Sequence, residues 1–164
     1  MGRMKKGEKG MEKKRMDLCI SRALAPAYAG RSGELTAVLQ YVFQAIVLGG
    51  CGREAEARVL MNIAKDEMRH LEKLGSLLVA CGVPPVFTAC PPYPVAYYSA
   101  SNVDYTRKLP EMLAADIRAE REAIAGYTRI LSAVRDERVR QAVGEIRAEE
   151  EGHLAQLEEM ARAL

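Results

Sequence analysis

Proline placement divides this sequence into two regions that can form long helices. Six of the seven prolines lie between Pro84 and Pro110, and after Arg31 the sequence outside that segment contains none. Proline interrupts the interior of a helix because it lacks the backbone N–H and its ring clashes with the preceding turn. Long helices are therefore expected on both sides of the proline-rich segment and not within it.

Apolar residues recur at helical spacing in the two proline-free regions, which predicts four helices over 32–48, 53–81, 107–133 and 136–163. The connection within each pair is short, so each pair forms an antiparallel hairpin. The crossover at 82–109 can extend to about 90 Å. One of the predicted helices is about 40 Å long, so the crossover can run the length of the bundle. The sequence thus predicts an all-α bundle of two antiparallel hairpins joined by a long crossover, in a domain at 32–164.

Composition and charge indicate the fold class of this chain and the classes of partner that it is not expected to bind. Apolar residues make up 49% of the chain and aromatic residues 5%, which favours packed helices over a β-sandwich. The first seventeen residues hold seven basic and three acidic groups, leaving 17 basic and 19 acidic groups in the rest. The folded part is therefore mildly acidic, and neither nucleic acid nor a membrane is an expected partner. Residues 1–31 form a basic N-terminal arm, disordered or helical, without a secretory signal, and the expected location is the cytoplasm.

Four cysteines contain no CxxC pair, which argues against a zinc ribbon, a rubredoxin-like iron site or a thioredoxin-like motif. Small buried thiols are the expected role of these side chains: Cys19, Cys51, Cys81 and Cys90.

The only two histidines each follow a glutamate by three positions, as Glu67 with His70 and Glu150 with His153. At this spacing the two side chains lie on one helix face and can share a metal ion. Apolar residues flank both pairs, and a carboxylate in an apolar stripe needs a partner. A helix-surface ion network is the alternative interpretation of the same spacing.

Glu34 and Glu120 lie on apolar faces of the first and third predicted helices. Counted from the hairpin turns, all four glutamates lie at the same height, roughly 21 Å along their helices. Four carboxylates and two imidazoles therefore converge in mid-bundle, and two divalent cations would neutralise them. Oxygen-rich sites with one imidazole per ion suit iron or manganese, and this ligand set is typical of di-iron and di-manganese bundles.

At these residues the sequence resembles the ferritin-like superfamily, particularly bacterioferritins and rubrerythrins. The resemblance covers about 30–164, with local matches at 33–41 (GELTAVLQY), 66–74 (DEMRHLEKL), 116–124 (DIRAEREAI) and 149–159 (EEEGHLAQLEE). It implies a ferritin-like four-helix bundle with a carboxylate-bridged pair of metal ions.

The resemblance also implies roles for individual residues. Glu67 and Glu150 correspond to bridging carboxylates, Glu34 and Glu120 to terminal ones, and each histidine to a nitrogen ligand of one metal. Tyr41 matches a tyrosine beside the metals that can donate an electron or a hydrogen bond, with a plain core tyrosine as the alternative. Asp66 and Glu149 correspond to residues that orient the histidine of the opposite pair, although Glu149 replaces an aspartate.

Several features depart from these families. Met68 stands where bacterioferritins carry a haem-ligating methionine, but a core or interface side chain is the favoured role and haem is not expected. Ala123 replaces the extra glutamate of rubrerythrins, and no rubredoxin-like cysteines are present. Only Leu154 to Leu164 follow His153, so neither the short fifth helix of ferritins nor their 24-subunit cage is expected.

The resulting prediction is a non-haem oxidoreductase whose two iron ions react with O2 or H2O2, as a ferroxidase or peroxidase. The expected partners are Fe2+, the oxidant, an electron donor of unknown identity and further copies of the chain in a homodimer or larger homo-oligomer. A di-manganese catalase and a non-catalytic iron-binding or storage protein are the alternatives.

Overall fold

The computed structural model describes residues 6–89 and 97–164. Within these ranges the chain forms five α-helices and one short 3-10 helix at Ala100–Asn102. The α-helices are α1 (Lys6–Ala29), α2 (Glu34–Gly50), α3 (Glu54–Ala80), α4 (Leu109–Ala133) and α5 (Glu137–Arg162). The four predicted helices correspond to α2–α5, and the N-terminal arm, for which the sequence left disorder or helix open, contains α1.

Local sequence signals set the helix ends. Gly52 and Gly82 have positive φ values of 76° and 74° in the turns after α2 and α3, a conformation that glycine adopts without a Cβ clash. Pro110 stands in the first turn of α4, where its missing N–H costs no hydrogen bond. The Asp136 side chain caps α5 by accepting from the backbone N–H groups of Arg138 and Val139.

Helices α2 and α3 pack chiefly on each other, as do α4 and α5. The bundle is therefore two antiparallel hairpins, which follow each other in the chain. Two apolar clusters fill it: one includes Leu74, Ile130 and Val143, and the other includes Leu60, Met112 and Leu157. The buried polar residues of α2–α5 lie between these clusters.

Helix α1 packs on α2, α3 and α4. Leu24 is fully buried, and the Tyr28 hydroxyl donates to the Pro85 carbonyl oxygen at 3.0 Å. At the α1–α2 corner, a Cβ on Gly33 would lie 2.5 Å from the Ala27 carbonyl oxygen and 2.6 Å from that of Pro26. This close approach requires glycine, and it fixes where Glu34 begins α2.

The prediction that the cysteines are buried is wrong for Cys19 and Cys51. Cys19 and Cys51 lie at the surface and Cys81 is half-buried, because the first two stand on solvent-facing helix and turn positions. Cys90 lies outside the described residues. Met68 is 48% exposed, so it is not a core side chain. Among the described residues, no helix is both long and apolar enough to cross a bilayer.

Candidate metal centre

Six buried side chains meet at mid-bundle, between the two apolar clusters. Each of them is at most 4% exposed, and they come from all four bundle helices: Glu34, Glu67, His70, Glu120, Glu150 and His153. The predicted convergence of these residues is confirmed.

The six side chains form two overlapping groups, in each of which one ligand atom per residue lies within 4.8 Å of the others. Glu34 and His70 belong to the first group, and Glu120 and His153 to the second. Glu67 and Glu150 belong to both. Each hairpin therefore supplies one unshared glutamate, one histidine and one of the two shared carboxylates.

Each histidine directs Nδ1 between the two shared carboxylates. His70 Nδ1 lies 3.1 Å from Glu67 Oε2 and 3.1 Å from Glu150 Oε1. His153 Nδ1 lies 2.9 Å from Glu150 Oε2 and 3.1 Å from Glu67 Oε1. A ring nitrogen carries one proton or one lone pair, so it cannot donate fully to two carboxylates. A cation held jointly by the nitrogen and the oxygens satisfies this arrangement.

The opposite ring nitrogens face outer carboxylates. His70 Nε2 lies 3.0 Å from Glu149 Oε2, and His153 Nε2 lies 3.3 Å from Asp66 Oδ2. Both expected contacts are therefore present, including the one that uses glutamate in place of aspartate. A proton held on Nε2 by these carboxylates leaves the Nδ1 lone pair free for a metal. Lys73 Nζ in turn lies 3.4 Å from Glu149 Oε1.

Two buried tyrosines donate hydrogen bonds to the unshared glutamates across the bundle. Tyr41 on α2 donates to Glu120 on α4, and Tyr127 on α4 donates to Glu34 on α2. Tyr41 is one of the site residues predicted from the sequence, whereas Tyr127 was not predicted. The available signal was the spacing, since each tyrosine follows the glutamate of its own helix by seven positions, or two turns.

Glu34, Glu67 and Glu120 have strongly perturbed proton affinities. Burial raises the pKa of Glu34 well above its ordinary value, and the negative charge of Glu67 raises it further. Burial likewise raises the pKa of Glu120, followed by the charges of Glu67 and Glu150. Burial also acts to raise the pKa of Glu67, but the contacts with Glu34 and with the two histidines outweigh it and lower that pKa overall.

The histidines are shifted toward their protonated forms. Burial acts to lower the pKa of both rings, but the surrounding carboxylates outweigh it. The pKa of His70 rises far above its ordinary value, and that of His153 rises to about 10. Without metal, protons thus balance the clustered negative charge. Divalent cations can replace those protons, so metal binding is coupled to proton release.

The residues fit two metal ions. Glu67 Oε1 and Glu150 Oε1 are buried and accept no hydrogen bond within residues 6–89 and 97–164, although each lies near a histidine Nδ1. Unpartnered buried carboxylate oxygens are costly in a protein interior. Four carboxylates and two imidazoles supply enough donors for two ions, and the oxygen-rich set suits iron or manganese.

A cavity of about 830 Å³ reaches this cluster between α1, α2 and α4. Glu34, Tyr41, Glu120 and Tyr127 are among its lining residues, and many of the others are alanines and glycines. Small side chains leave the gap between α2 and α4 open. A small oxidant can therefore reach the carboxylate side of the cluster.

A sequence model of the ferritin-like domain matches residues 31–164, which is most of the chain. The chain belongs to the ferritin-like family. This ferritin-like domain begins at the α1–α2 corner, so the match contains every residue of the six-ligand cluster. Among curated proteins, none matches this sequence significantly.

Solved structures with similar folds include a manganese catalase and two bacterioferritins. The Anabaena PCC7120 manganese catalase KatB aligns with a TM-score of 0.79 at 23% identity, covering 90% of this chain and 73% of that one. The Desulfovibrio desulfuricans bacterioferritin, described with a diiron site, aligns at 0.76 and 23%, covering 92% and 82%. Mycobacterium tuberculosis bacterioferritin BfrA aligns at 0.71 and 21%, covering 88% and 85%. These similarities confirm the ferritin-like four-helix fold.

Proposed function

We propose that this ferritin-like domain is a di-iron oxidoreductase that reacts with O2 or H2O2 as a ferroxidase or peroxidase. The observation that carries the proposal is the pair of overlapping buried ligand groups, whose four glutamates line an open cavity. A structural ion network would need neither the shared glutamates nor access from outside.

In this proposal each residue of the site has a distinct task. Glu67 and Glu150 would hold both ions, and two bound iron ions would supply the electrons for reduction of the oxidant. Glu34 and Glu120 are terminal ligands held by the tyrosine hydroxyls. Tyr41 is the side chain that donates a hydrogen bond or an electron beside the oxidant.

The environment of Tyr41 keeps its hydroxyl in the donating form. Burial raises the pKa of Tyr41 well above its ordinary value, and the charges of Glu120 and Asp116 raise it further. Tyr41 also lines the cavity through which an oxidant would arrive. It can therefore direct a proton toward Glu120 without carrying a charge itself.

A di-manganese catalase is the second candidate. The structural similarity to the Anabaena manganese catalase favours it, and the same oxygen-rich ligands accept manganese. The two activities have different products, because a catalase releases O2 from peroxide and a ferroxidase or peroxidase does not.

The test is to purify the full chain anaerobically, measure its metals and mix the reduced protein with one equivalent of H2O2 or O2. Two irons per chain that oxidise together, followed by stopped-flow absorbance, are the expected result. Manganese with O2 release would assign the catalase. Two bound irons that react with neither oxidant would refute the enzymatic proposal, and retention of far more iron in a large assembly would indicate storage.

Glu150→Ala tests the shared ligand. Glu151→Ala is its matched control, because Glu151 is the next residue on the same helix. Glu150 is buried and shared by both ligand groups, whereas Glu151 is exposed and forms an ion pair with Arg147 at 3.5 Å. We expect Glu150→Ala to lose paired metal binding while it remains helical, and Glu151→Ala to bind two metals. Two metals per chain in Glu150→Ala would contradict the bridging role.

We also infer that the chain assembles as a homodimer or larger homo-oligomer through the outer faces of α2 and α3. Ile46, Met68 and Val79 on these faces are 66%, 48% and 58% exposed. Met68 and Val79 line one surface groove, and grouped exposed apolar side chains are typical of protein interfaces.

A further inference from the structure

A buried polar cluster links α2 to α4 beside the metal centre. Asp116 and Gln44 have no exposed surface, and Gln40 is 7% exposed. Asp116 Oδ1 accepts from Gln40 Nε2 at 2.8 Å and from Gln44 Nε2 at 2.9 Å. Gln40 Oε1 accepts from the backbone N–H of Asp104 at 2.9 Å, which connects the cluster to the crossover.

Two acceptor atoms of this cluster receive no hydrogen bond from any residue that the structure describes: Asp116 Oδ2 and Gln44 Oε1. They belong to the same two groups that already share the hydrogen bond between Gln44 Nε2 and Asp116 Oδ1. Buried acceptors are nearly always paired in proteins. A single proton on Oδ2 would give both atoms a partner, because a carboxylic acid and an amide pair through two parallel hydrogen bonds.

The cluster adjoins the proposed reaction site on two helices. Asp116 precedes Glu120 by four positions, so both lie on the same face of α4. Gln40 and Gln44 flank Tyr41 in α2, and Tyr41 donates its hydrogen bond to Glu120. Of these residues, Gln40, Tyr41 and Glu120 line the cavity, whereas Asp116 and Gln44 do not.

The charges around Asp116 favour a proton that is retained yet exchangeable. Burial raises the pKa of Asp116 to about 6, although the donors on Gln44 and Gln40 act to lower it. Asp104 raises this pKa and Arg118 lowers it. The charge of Asp116 also raises the pKa of Tyr41, so the two groups interact electrostatically.

We propose that Asp116, as a carboxylic acid whose Oδ2–H donates a hydrogen bond to Gln44 Oε1, is the proton store that serves the metal centre through Tyr41. This inference rests on the proposed function. Reduction of H2O2 to two waters consumes two electrons, supplied by the two bound ions, and two protons. In one proton transfer, the Asp116 Oδ2–H bond breaks and its proton passes through a water molecule to the Tyr41 oxygen, while the Tyr41 proton passes to Glu120 Oε1 and from there to the oxygen of a product water. Asp116 becomes a carboxylate, Tyr41 is unchanged, and solvent later returns the proton.

The test compares wild type with Asp116→Asn, which preserves the shape and the hydrogen-bonding capacity of the side chain but removes the acid. Glu111→Gln is the control because Glu111 is an exposed carboxylate on the same helix. The two variants should bind two metals per chain and remain helical.

Infrared spectroscopy of zinc-loaded protein tests the proton store without turnover, since zinc occupies the glutamate ligands and does not react. We expect a carboxylic acid band that declines between pH 5 and pH 8 in wild type and in Glu111→Gln. This change should be absent from Asp116→Asn. A wild-type spectrum identical to that of Asp116→Asn across this range would overturn the proposal.

The pH dependence of iron oxidation by peroxide tests proton supply. Wild type should slow as the pH rises through about 6, and Asp116→Asn should be at least about tenfold slower at pH 6 and lack that inflection. A reactive wild type with the same rate and pH profile as Asp116→Asn would overturn only this inference. A wild type that reacts with neither oxidant would overturn the proposed function as well.

Discussion

Replacement of Asp116 by asparagine should change how the stability of the fold depends on pH. Burial raises the pKa of Asp116 from its ordinary 3.8 to about 6 in the folded chain. The folded state therefore holds this proton more strongly than the unfolded state does. The associated stability is complete below pH 3.8 and is lost as the pH rises through about 6.

The magnitude follows from the two pKa values. At about 1.4 kcal/mol per pKa unit, the rise from 3.8 to about 6 corresponds to about 3 kcal/mol in total. About 1.4 kcal/mol of this falls between pH 5 and pH 8. Relative to Asp116→Asn, wild type should lose that amount of unfolding free energy over the interval. The loss is relative because the glutamates and histidines of the metal centre titrate in both proteins.

The assay is urea unfolding of the metal-free full chain, followed by circular dichroism at several pH values from 5 to 8. Glu111→Gln is the control, and its difference from wild type should stay constant because Glu111 is exposed. A constant difference between Asp116→Asn and wild type would refute the raised pKa. A difference of opposite sign would show that the amide donors of Gln40 and Gln44 dominate over burial.

Four further predictions concern other parts of the molecule. Gly33→Ala should destabilise the fold by about 2 kcal/mol in thermal or urea unfolding, since its Cβ would overlap backbone carbonyl oxygens of α1; an unchanged midpoint would contradict the close approach. Zinc affinity, measured by calorimetry in two buffers, should fall with decreasing pH as His70 and His153 retain protons, and binding without proton release would be inconsistent with their raised pKa values. Tyr127→Phe should keep two metals per chain and slow iron oxidation about tenfold, because Glu34 loses its donor; an unaltered rate would limit Tyr127 to packing. Ile46→Glu should reduce the assembly size in analytical ultracentrifugation, and an identical mass would exclude the α2 face as an interface.

The bundle could be predicted from sequence because its signals are local. Proline spacing and apolar periodicity located α2–α5 to within a few residues. The ligand set was also readable, since Glu67 with His70 and Glu150 with His153 repeat one spacing on apolar faces. Equal distances from two hairpin turns were enough to bring these groups to one height.

The N-terminal arm shows where local signals were insufficient. Its charged first residues carry no clear apolar period, yet Leu24 and Tyr28 are buried against the bundle. The position of α1 depends on contacts with α3 and Pro85, which lie far along the chain. Cys19 lies on the same helix but faces solvent, and only the rotation of that helix determines the difference.

The sequence by itself determined which side chains are available to hold metal and on which helices they stand. The tertiary structure decided which buried side chains meet: Tyr127 donates to Glu34, and Gln40 and Gln44 donate to Asp116. These contacts join residues 72 to 93 positions apart. They depend on how α2 and α4 are rotated and spaced in the packed bundle, and apolar periodicity fixes which face of a helix is buried but not which side chain it meets.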